Sequence, residues 1–338
     1  MKSKHNFKCI VFCVIFIFIL LIVSILYNKK GNPKPYSSVF YSMDTVISVE
    51  TYGLDLTKEI QSKVEELNQI FDRHSEGTQM YSLNQNKILE NPSIFLNDLV
   101  TKTLELNQKF GYNVDITSGM LIDTWNITSD TPKIPTNSEI SQAMKTIGIE
   151  NISINGNEIS LSNDCILDFG SVAKGYTLDI LYANLTNYNI DSAYISMGSS
   201  TLLYGTDNYN ISIRSPNDTN GIACKFSING TGFISTSGGY ERYMEIDGVK
   251  YSHILDLSTG YPTDTDLTSV TVYTDSGLKS DFLSTYIYLG GTENIYKYLN
   301  CEDFKTIAID NNNNLYVSNG LDIQIEDNSF KVVNTLER

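Results

Sequence analysis

Residues 280–291 read SDFLSTYIYLGG. Apolar and aromatic residues fill the run from Asp281 to Leu289, two glycines end it, and the spacing predicts a helix. A strand is expected before it near 269–274, rich in β-branched residues, and a hairpin after it across 305–318, turning at Asn311–Asn314. Further upstream, Ile60, Val64, Leu67 and Ile70 recur at helical spacing from Thr57 to Phe71. More helices are expected from Asn97, as N-cap, to Phe110, from Ser138–Glu139 through Ile147, and from about Lys174 to Leu185. Strands are expected over 38–52, within 151–168, and near 192–197, 209–214, 232–235 and 241–246. Helices and strands mix without βαβ regularity, so the fold class is α+β, with mixed, mainly antiparallel sheets and packed helices rather than a doubly wound sheet.

The other end of the chain has a different character. Residues 10–26, IVFCVIFIFILLIVSIL, carry no charge and are long enough to cross a bilayer. No small-x-small cleavage site follows, and Lys flanks both sides, so the expectation is an uncleaved anchor. The order is then a short cytoplasmic tail (1–9), a transmembrane anchor or uncleaved signal (10–26), a linker (27–37) and one catalytic domain (38–338). Lys2, Lys4 and Lys8 on one side nearly balance Lys29, Lys30 and Lys34 on the other, so charge alone does not orient the anchor.

The formal charge of the 338 residues is −15. Residues 1–30 hold five Lys and no acid, so residues 31–338 carry 19 basic groups against 39 acidic ones, a net −20. That argues against a nucleic-acid partner. Cys165, Cys224 and Cys301 are scattered and odd in number, and form neither a disulfide framework nor a CxxC site. Phosphate-loop, dinucleotide-fingerprint, HExxH and GxSxG motifs are absent, and there are only three histidines, at 5, 74 and 253. Carboxylates, hydroxyls, one turn lysine and His253 are left to carry chemistry.

Four segments bring these together. In LDFGSVAKGY (167–176), Asp168 ends a strand, and Lys174 opens a helix whose free N–H groups could face an anion; the plain alternative is an ordinary strand-to-helix turn. In STSGGYERY (235–243), hydroxyls precede two glycines, which suit close approach of a ligand or a simple surface turn. In SHILDLSTGYP (252–262), His253 lies near Asp256 and suits general-base work near neutral pH, or else is a satisfied core histidine. In SDFLSTYIYLGG, Asp281 and Thr285 share one helix face with Ser284 beside them; these oxygens suit a hard cation such as Mg²⁺, or else a plain helix start.

Taken in order, these segments resemble the FAD:protein FMN transferase, or ApbE-like, family. Met43-Asp44-Thr45 looks like the family's MGT, FDRHSEGTQMYSLN (71–84) like its FSRYxxxSxISxLN, and NVDITSG (113–119) like its AFDITVG. The resemblance covers nearly all of the chain beyond the anchor and implies an ApbE-like fold. It implies Mg²⁺ bound by Asp281, Thr285 and the turn at Ser171, with Ser284 where some members have a further ligand. It implies flavin contacts from Met43, His74, Asn113, Val114 and Asp115, other FAD contacts from Asp168, Lys174 and Leu255, and His253 as the base for the acceptor hydroxyl. The implied reaction moves FMN from FAD to a Thr or Ser hydroxyl of a membrane or exported redox protein and releases AMP, which would put the domain outside the cell membrane. Asp44 in place of Gly, His74 in place of an aromatic ring, Gly198-Ser199-Ser200 in place of GGN, and Leu257 in place of Pro depart from the pattern. They bear on ring contacts and FAD affinity more than on chemistry. The residues alone leave open hydrolysis of FAD with water as acceptor, or a flavin-binding protein without activity.

Overall fold

The structure is a computed structural model and describes residues 34–333 apart from residues 130 and 219. The tail at 1–9, the anchor expected at 10–26 and most of the linker lie outside the described residues. Among the described residues no helix is long and apolar enough to cross a membrane. The first strand begins at Tyr36 and takes in the last two residues of the expected linker.

Nine strands form the main sheet, in the order Tyr36–Ser42, Thr45–Tyr52, Ser192–Met197, Ser200–Gly205, Gly232–Gly238, Leu267–Thr274, Lys305–Asp310, Asn314–Val317 and Lys331–Val332. Every pair is antiparallel except the last. Two three-stranded sheets and two short hairpins complete the β-structure. The α+β reading and the hairpin closing at Asn311–Asn314 are both found.

The helix Gly277–Leu289 is the centre of the packing. It is buried on nearly all sides, as expected of a segment apolar all round. Leu278, Phe282, Leu283 and Ile287 share a core with Val270 and Val272 of the sheet. Its start lies four residues before the expected Asp281. Ser276 is the N-cap, accepting from Lys279 N at 3.3 Å, and the Asp179 carboxylate accepts from Gly277 N at 2.6 Å and Leu278 N at 2.9 Å. That carboxylate sits against the positive end of the helix and satisfies donors that would otherwise be orphaned.

The helix Ala173–Leu185 crosses it at a point where both backbones are glycine. A Cβ at Gly175 would collide with Gly277 O, and one at Gly277 with Gly175 O. The crossing is close because neither residue has a side chain.

Other boundaries moved for local reasons. The helix expected from Asn97 runs Ile94–Phe110, because Ser93 takes the cap and accepts from Phe95 N at 3.1 Å. The helix expected from Ser138 is Asn137–Met144, with Thr136 and Glu139 forming a reciprocal capping box. Strands Ser200–Gly205 and Ile222–Asn229 and helices Gln79–Asn86, Gly119–Trp125 and Gly291–Tyr298 were not foreseen. Cys165 and Cys224 are free and buried, with thiols pushed up to about 12 by that burial.

Candidate active site

A cleft of about 750 Å³ opens along one end of the main sheet, a size suited to a drug-sized or cofactor-sized ligand. Of the residues proposed from sequence, His74, Asn113, Val114, Asp115, Asp168, Ser171, Lys174, His253, Leu255, Asp281, Ser284 and Thr285 all line it. Met43 does not. It sits in a turn at positive φ (49°) and packs into the core, where Thr177 Oγ1 donates to its Sδ at 3.5 Å. The two residues after it, Asp44 and Thr45, reach the cleft in its place.

Asp281 lies on the cleft floor, 6% exposed. Its Oδ1 accepts from Ser200 Oγ at 2.5 Å and its Oδ2 from Gly175 N at 2.6 Å. One turn further on, Ser237 Oγ lies 2.8 Å from Ser284 Oγ and 3.0 Å from Thr285 Oγ1. Ser284 donates its single hydroxyl proton to Asp281 O at 3.0 Å. Ser237 must then donate to Ser284, and Thr285 to Ser237, because each hydroxyl carries one proton. The lone pairs of Thr285 Oγ1 are left uncommitted beside the Asp281 carboxylate. One carboxylate and an uncommitted hydroxyl oxygen fit Mg²⁺, which takes one or two carboxylates, keeps waters and completes its shell with substrate phosphate. No group of three or more His, Cys, Asp or Glu able to hold a metal occurs among the described residues, so an ion held entirely by protein carboxylates and imidazoles does not fit. Ser284, with its proton and one acceptor site used, serves as a relay that orients Thr285.

His253 stands on another wall. Its Nδ1 lies 2.9 Å from Arg242 O, and its backbone N–H donates to the same oxygen at 3.1 Å. A carbonyl only accepts, so Nδ1 carries the proton and Nε2 keeps its lone pair. Burial among the cleft walls, with the positive charges of Arg242 and Lys174 nearby, lowers the imidazole to about 4. The expected neutral pKa beside acidic groups is therefore corrected. Asp256 faces elsewhere, accepting from Ser258 N at 2.8 Å and Ser258 Oγ at 2.7 Å. An imidazole that stays neutral through the physiological range is always in the form a general base requires.

The turn at 168–174 is held from outside by Arg73, which the sequence reading had passed over. Arg73 Nε lies 2.6 Å from Asp168 Oδ2, off the axis of an aligned hydrogen bond, and its two terminal nitrogens grip Asp123 at 2.5 and 3.0 Å. Asp168 Oδ1 accepts from Gly170 N at 2.8 Å, which closes the turn. Lys174 Nζ donates to Gly170 O at 3.3 Å. Both oxygens of Asp168 are engaged within the protein, so it shapes the turn that presents Ser171 and Lys174.

Four cations line the cleft: Arg73, which is paired with Asp123 and Asp168, and Lys174, Arg214 and Arg242. The last three form no close ion pair among the described residues, but the Glu241 carboxylate on the same cleft interacts electrostatically with each of them. In a domain this acidic, three cations gathered on one cleft against the single nearby carboxylate of Glu241 leave a local excess of positive charge that suits an anion. Arg214 gave no signal in sequence beyond its charge, and Arg242 only its place in STSGGYERY. At the other end Ile122, Trp125, Leu255 and Leu257 supply apolar wall. Trp125 is fixed by donating Nε1–H to Gly260 O at 2.8 Å. Asp115 Oδ1 accepts from Thr117 N at 2.8 Å and Thr117 Oγ1 at 2.7 Å, and burial raises its pKa.

Apolar wall, clustered cations and a carboxylate–hydroxyl group on one cleft suit a phosphate-bearing ligand with a large ring system. The comparisons agree with that class. Residues 43–308 match the ApbE family, and the chain belongs to it. It is 31% identical over 303 residues to an FAD:protein FMN transferase of Buchnera aphidicola, covering 82% of this chain and 86% of that one. It is 28% identical over 247 residues to the FAD:protein FMN transferase of Vibrio cholerae, covering 70% and 74%. Among solved structures, the ApbE protein of Thermotoga maritima superposes with a TM-score of 0.75 at 23% identity over 86% of this chain and 97% of that one. The flavin transferase ApbE of Vibrio cholerae gives 0.73 at 24%, over 85% and 97%. The expected ApbE-like α+β fold is the fold found.

Proposed function

We propose that this FAD:protein FMN transferase of the ApbE family splits the pyrophosphate of FAD with the help of Mg²⁺ and passes FMN to a Thr or Ser hydroxyl of another protein. The observation that carries the reading is the joint placement of Asp281, Thr285 and a neutral His253 on one cleft. Asp281, Thr285 and the turn at Ser171 would hold the metal. When bound, Mg²⁺ supplies charge neutralisation on the pyrophosphate and a better leaving group in AMP. Lys174, Arg214 and Arg242 bind the phosphates. The apolar wall by Trp125 and Leu255, with His74 and residues 113–115, receives the isoalloxazine ring and shields it from water. His253 Nε2 takes the proton from the acceptor hydroxyl as that oxygen bonds to the FMN phosphorus, while the bond from phosphorus to the bridging oxygen breaks and AMP leaves with that oxygen.

The acceptor is proposed to be a membrane or exported redox protein, with residues 10–26 anchoring the enzyme beside it and the domain outside the membrane. The test is incubation with FAD, Mg²⁺ and a threonine-bearing acceptor, reading AMP release and acceptor mass together. A gain equal to FMN less one water supports transfer. AMP release with no change in acceptor mass would replace transfer by hydrolysis.

A further inference from the structure

Strand Tyr36–Ser42 is the terminal strand of the nine-stranded sheet. Its outer edge pairs with no strand among the described residues. Edge strands are usually guarded by charge, proline, a bulge or shortness. This one has seven residues, YSSVFYS, with no charge and no proline, in a domain that is strongly acidic overall. Its inner face packs into the core through Phe40. Its outer face leaves Val39 and Tyr41 each 70% exposed, and Val46, directly opposite Tyr41 on the next strand, 58% exposed.

The strand ends at the cleft. The turn after it holds Met43 and Asp44 at φ 49° and 54°, and Asp44 and Thr45 line the cleft. Arg242 Nη2 donates to Asp44 O at 2.9 Å, and the carbonyl of the same arginine takes the proton of His253 Nδ1 at 2.9 Å. Arg242 therefore bridges the turn that follows the open edge to the His253 ring.

We propose that this edge docks an extended segment of the acceptor polypeptide as an added strand, so that a hydroxyl at one end of the segment enters the cleft beside His253. The proposal rests on the transferase reading above. Main-chain pairing would supply affinity with little demand on sequence, and Val39, Tyr41 and Val46 would cover alternate side chains of the segment. A lipid surface would take up the apolar side chains without using the row of open backbone groups, and a second copy would use the row without bringing a hydroxyl to the base.

The variants Val39→Glu and Tyr41→Glu, singly and together, change exposed side chains outside the catalytic machinery. Melting temperature checks that they fold. Parent and variants are given FAD, Mg²⁺ and a pool of synthetic 15-residue peptides (about 50 Å extended), each with one threonine in varied surroundings. Peptide-bound FMN is read by fluorescence and mass, and AMP release is read without peptide. The expected result is a loss of peptide labelling of about tenfold or more in the double variant, with AMP release to water unchanged. Equal labelling by parent and variants overturns the docking proposal and leaves the transferase reading standing. A parent that releases AMP but labels no peptide also overturns the docking of extended segments, and whether transfer itself stands is then decided by the mass of an intact acceptor protein. A change seen only in co-sedimentation with phosphatidylglycerol vesicles, or only in dimer mass, assigns the edge to lipid or to a second copy and likewise overturns it. A parent inactive in both readouts removes the functional reading and the docking with it.

Discussion

Gly175 N donates to Asp281 Oδ2 at 2.6 Å across the crossing of two helices, so the carboxylate proposed to hold the metal is oriented by a backbone group that only a side-chain-free residue can bring this close. A Cβ on Gly175 would strike Gly277 O and lie 2.9 Å from Asp281 Cγ. Gly175→Ala is therefore expected to cost about 1–3 kcal/mol in overpacking and to displace Asp281, lowering both melting temperature and AMP release. Gly277→Ala, which would meet Gly175 O and Phe233, should lower the melting temperature similarly. An unchanged melting temperature for Gly175→Ala would refute the crossing.

Asp281→Asn separates charge from shape. An amide can accept from Gly175 N through its oxygen while its nitrogen donates to the Ser200 hydroxyl, so the fold is retained while the charge is lost. AMP release at fixed Mg²⁺ should fall by at least about 100-fold, the upper end of what outer-shell changes around metals cost. Thr285→Val, which removes the uncommitted oxygen at nearly constant volume, should behave likewise, and Ser284→Ala should cost less. Normal turnover by Asp281→Asn would show that the ion binds elsewhere.

The pH profile tests His253. The base form is the neutral imidazole, and its pKa is lowered to about 4. Transfer should then be flat from neutrality down through pH 6 and decline only as pH approaches 4. His253→Gln should slow labelling by about 10²–10⁴-fold with FAD affinity little changed. The same shift has a stability consequence. The folded protein favours the neutral ring, so this contribution is complete above the unfolded value of about 6.5 and is lost as pH falls from there through the folded value. Labelling that halves near pH 6.5 would exclude His253 as the base in this environment.

Arg214 tests the anion site. It lines the cleft with no close ion pair and only the Glu241 carboxylate as an electrostatic neighbour, so Arg214→Gln should leave the fold intact. A hydrogen bond to a charged group is worth about 1.5–3 kcal/mol, so the KM for FAD should rise about tenfold or more, with a smaller change in kcat. An unchanged KM would place the phosphates away from Arg214.

Topology needs its own measurement, since the lysines flanking residues 10–26 nearly balance. A reporter fused after Arg338 should be active only when exported. Activity confined to the cytoplasm would refute both the outward placement and exported acceptors.

The patterns that were legible in sequence are local ones. Helix Thr57–Phe71 was read to the residue because one face repeats at 3.6, and the closing hairpin because Asn311–Asn314 is a run of turn formers. The i, i+4 spacing of Asp281 and Thr285 is likewise a property of one helix. Strand Ser200–Gly205 was missed because STLLYG shows no clear alternation and is covered by neighbours on both sides. Long-range partners leave no such trace. Ser200 bonds to Asp281 across 81 residues, Arg73 reaches Asp123 and Asp168, and Arg242 joins Asp44 to His253.

By itself, then, the sequence determined the α+β class, the acidity of the domain and most of the side chains that line the cleft, because composition, periodicity and motif order are written along one chain. Only the tertiary structure decided that Met43 turns inward while Asp44 and Thr45 face the cleft, and that burial and the contact with Arg242 O leave His253 neutral with its Nε2 lone pair free. It also decided that Thr285 keeps its lone pairs and that Lys174, Arg214 and Arg242 gather around one cavity with Glu241 among them. The physical reason is the same in each case. A pKa, a hydroxyl's direction and the open edge of a sheet depend on what the fold brings within a few ångströms, and those neighbours are drawn from distant parts of the chain.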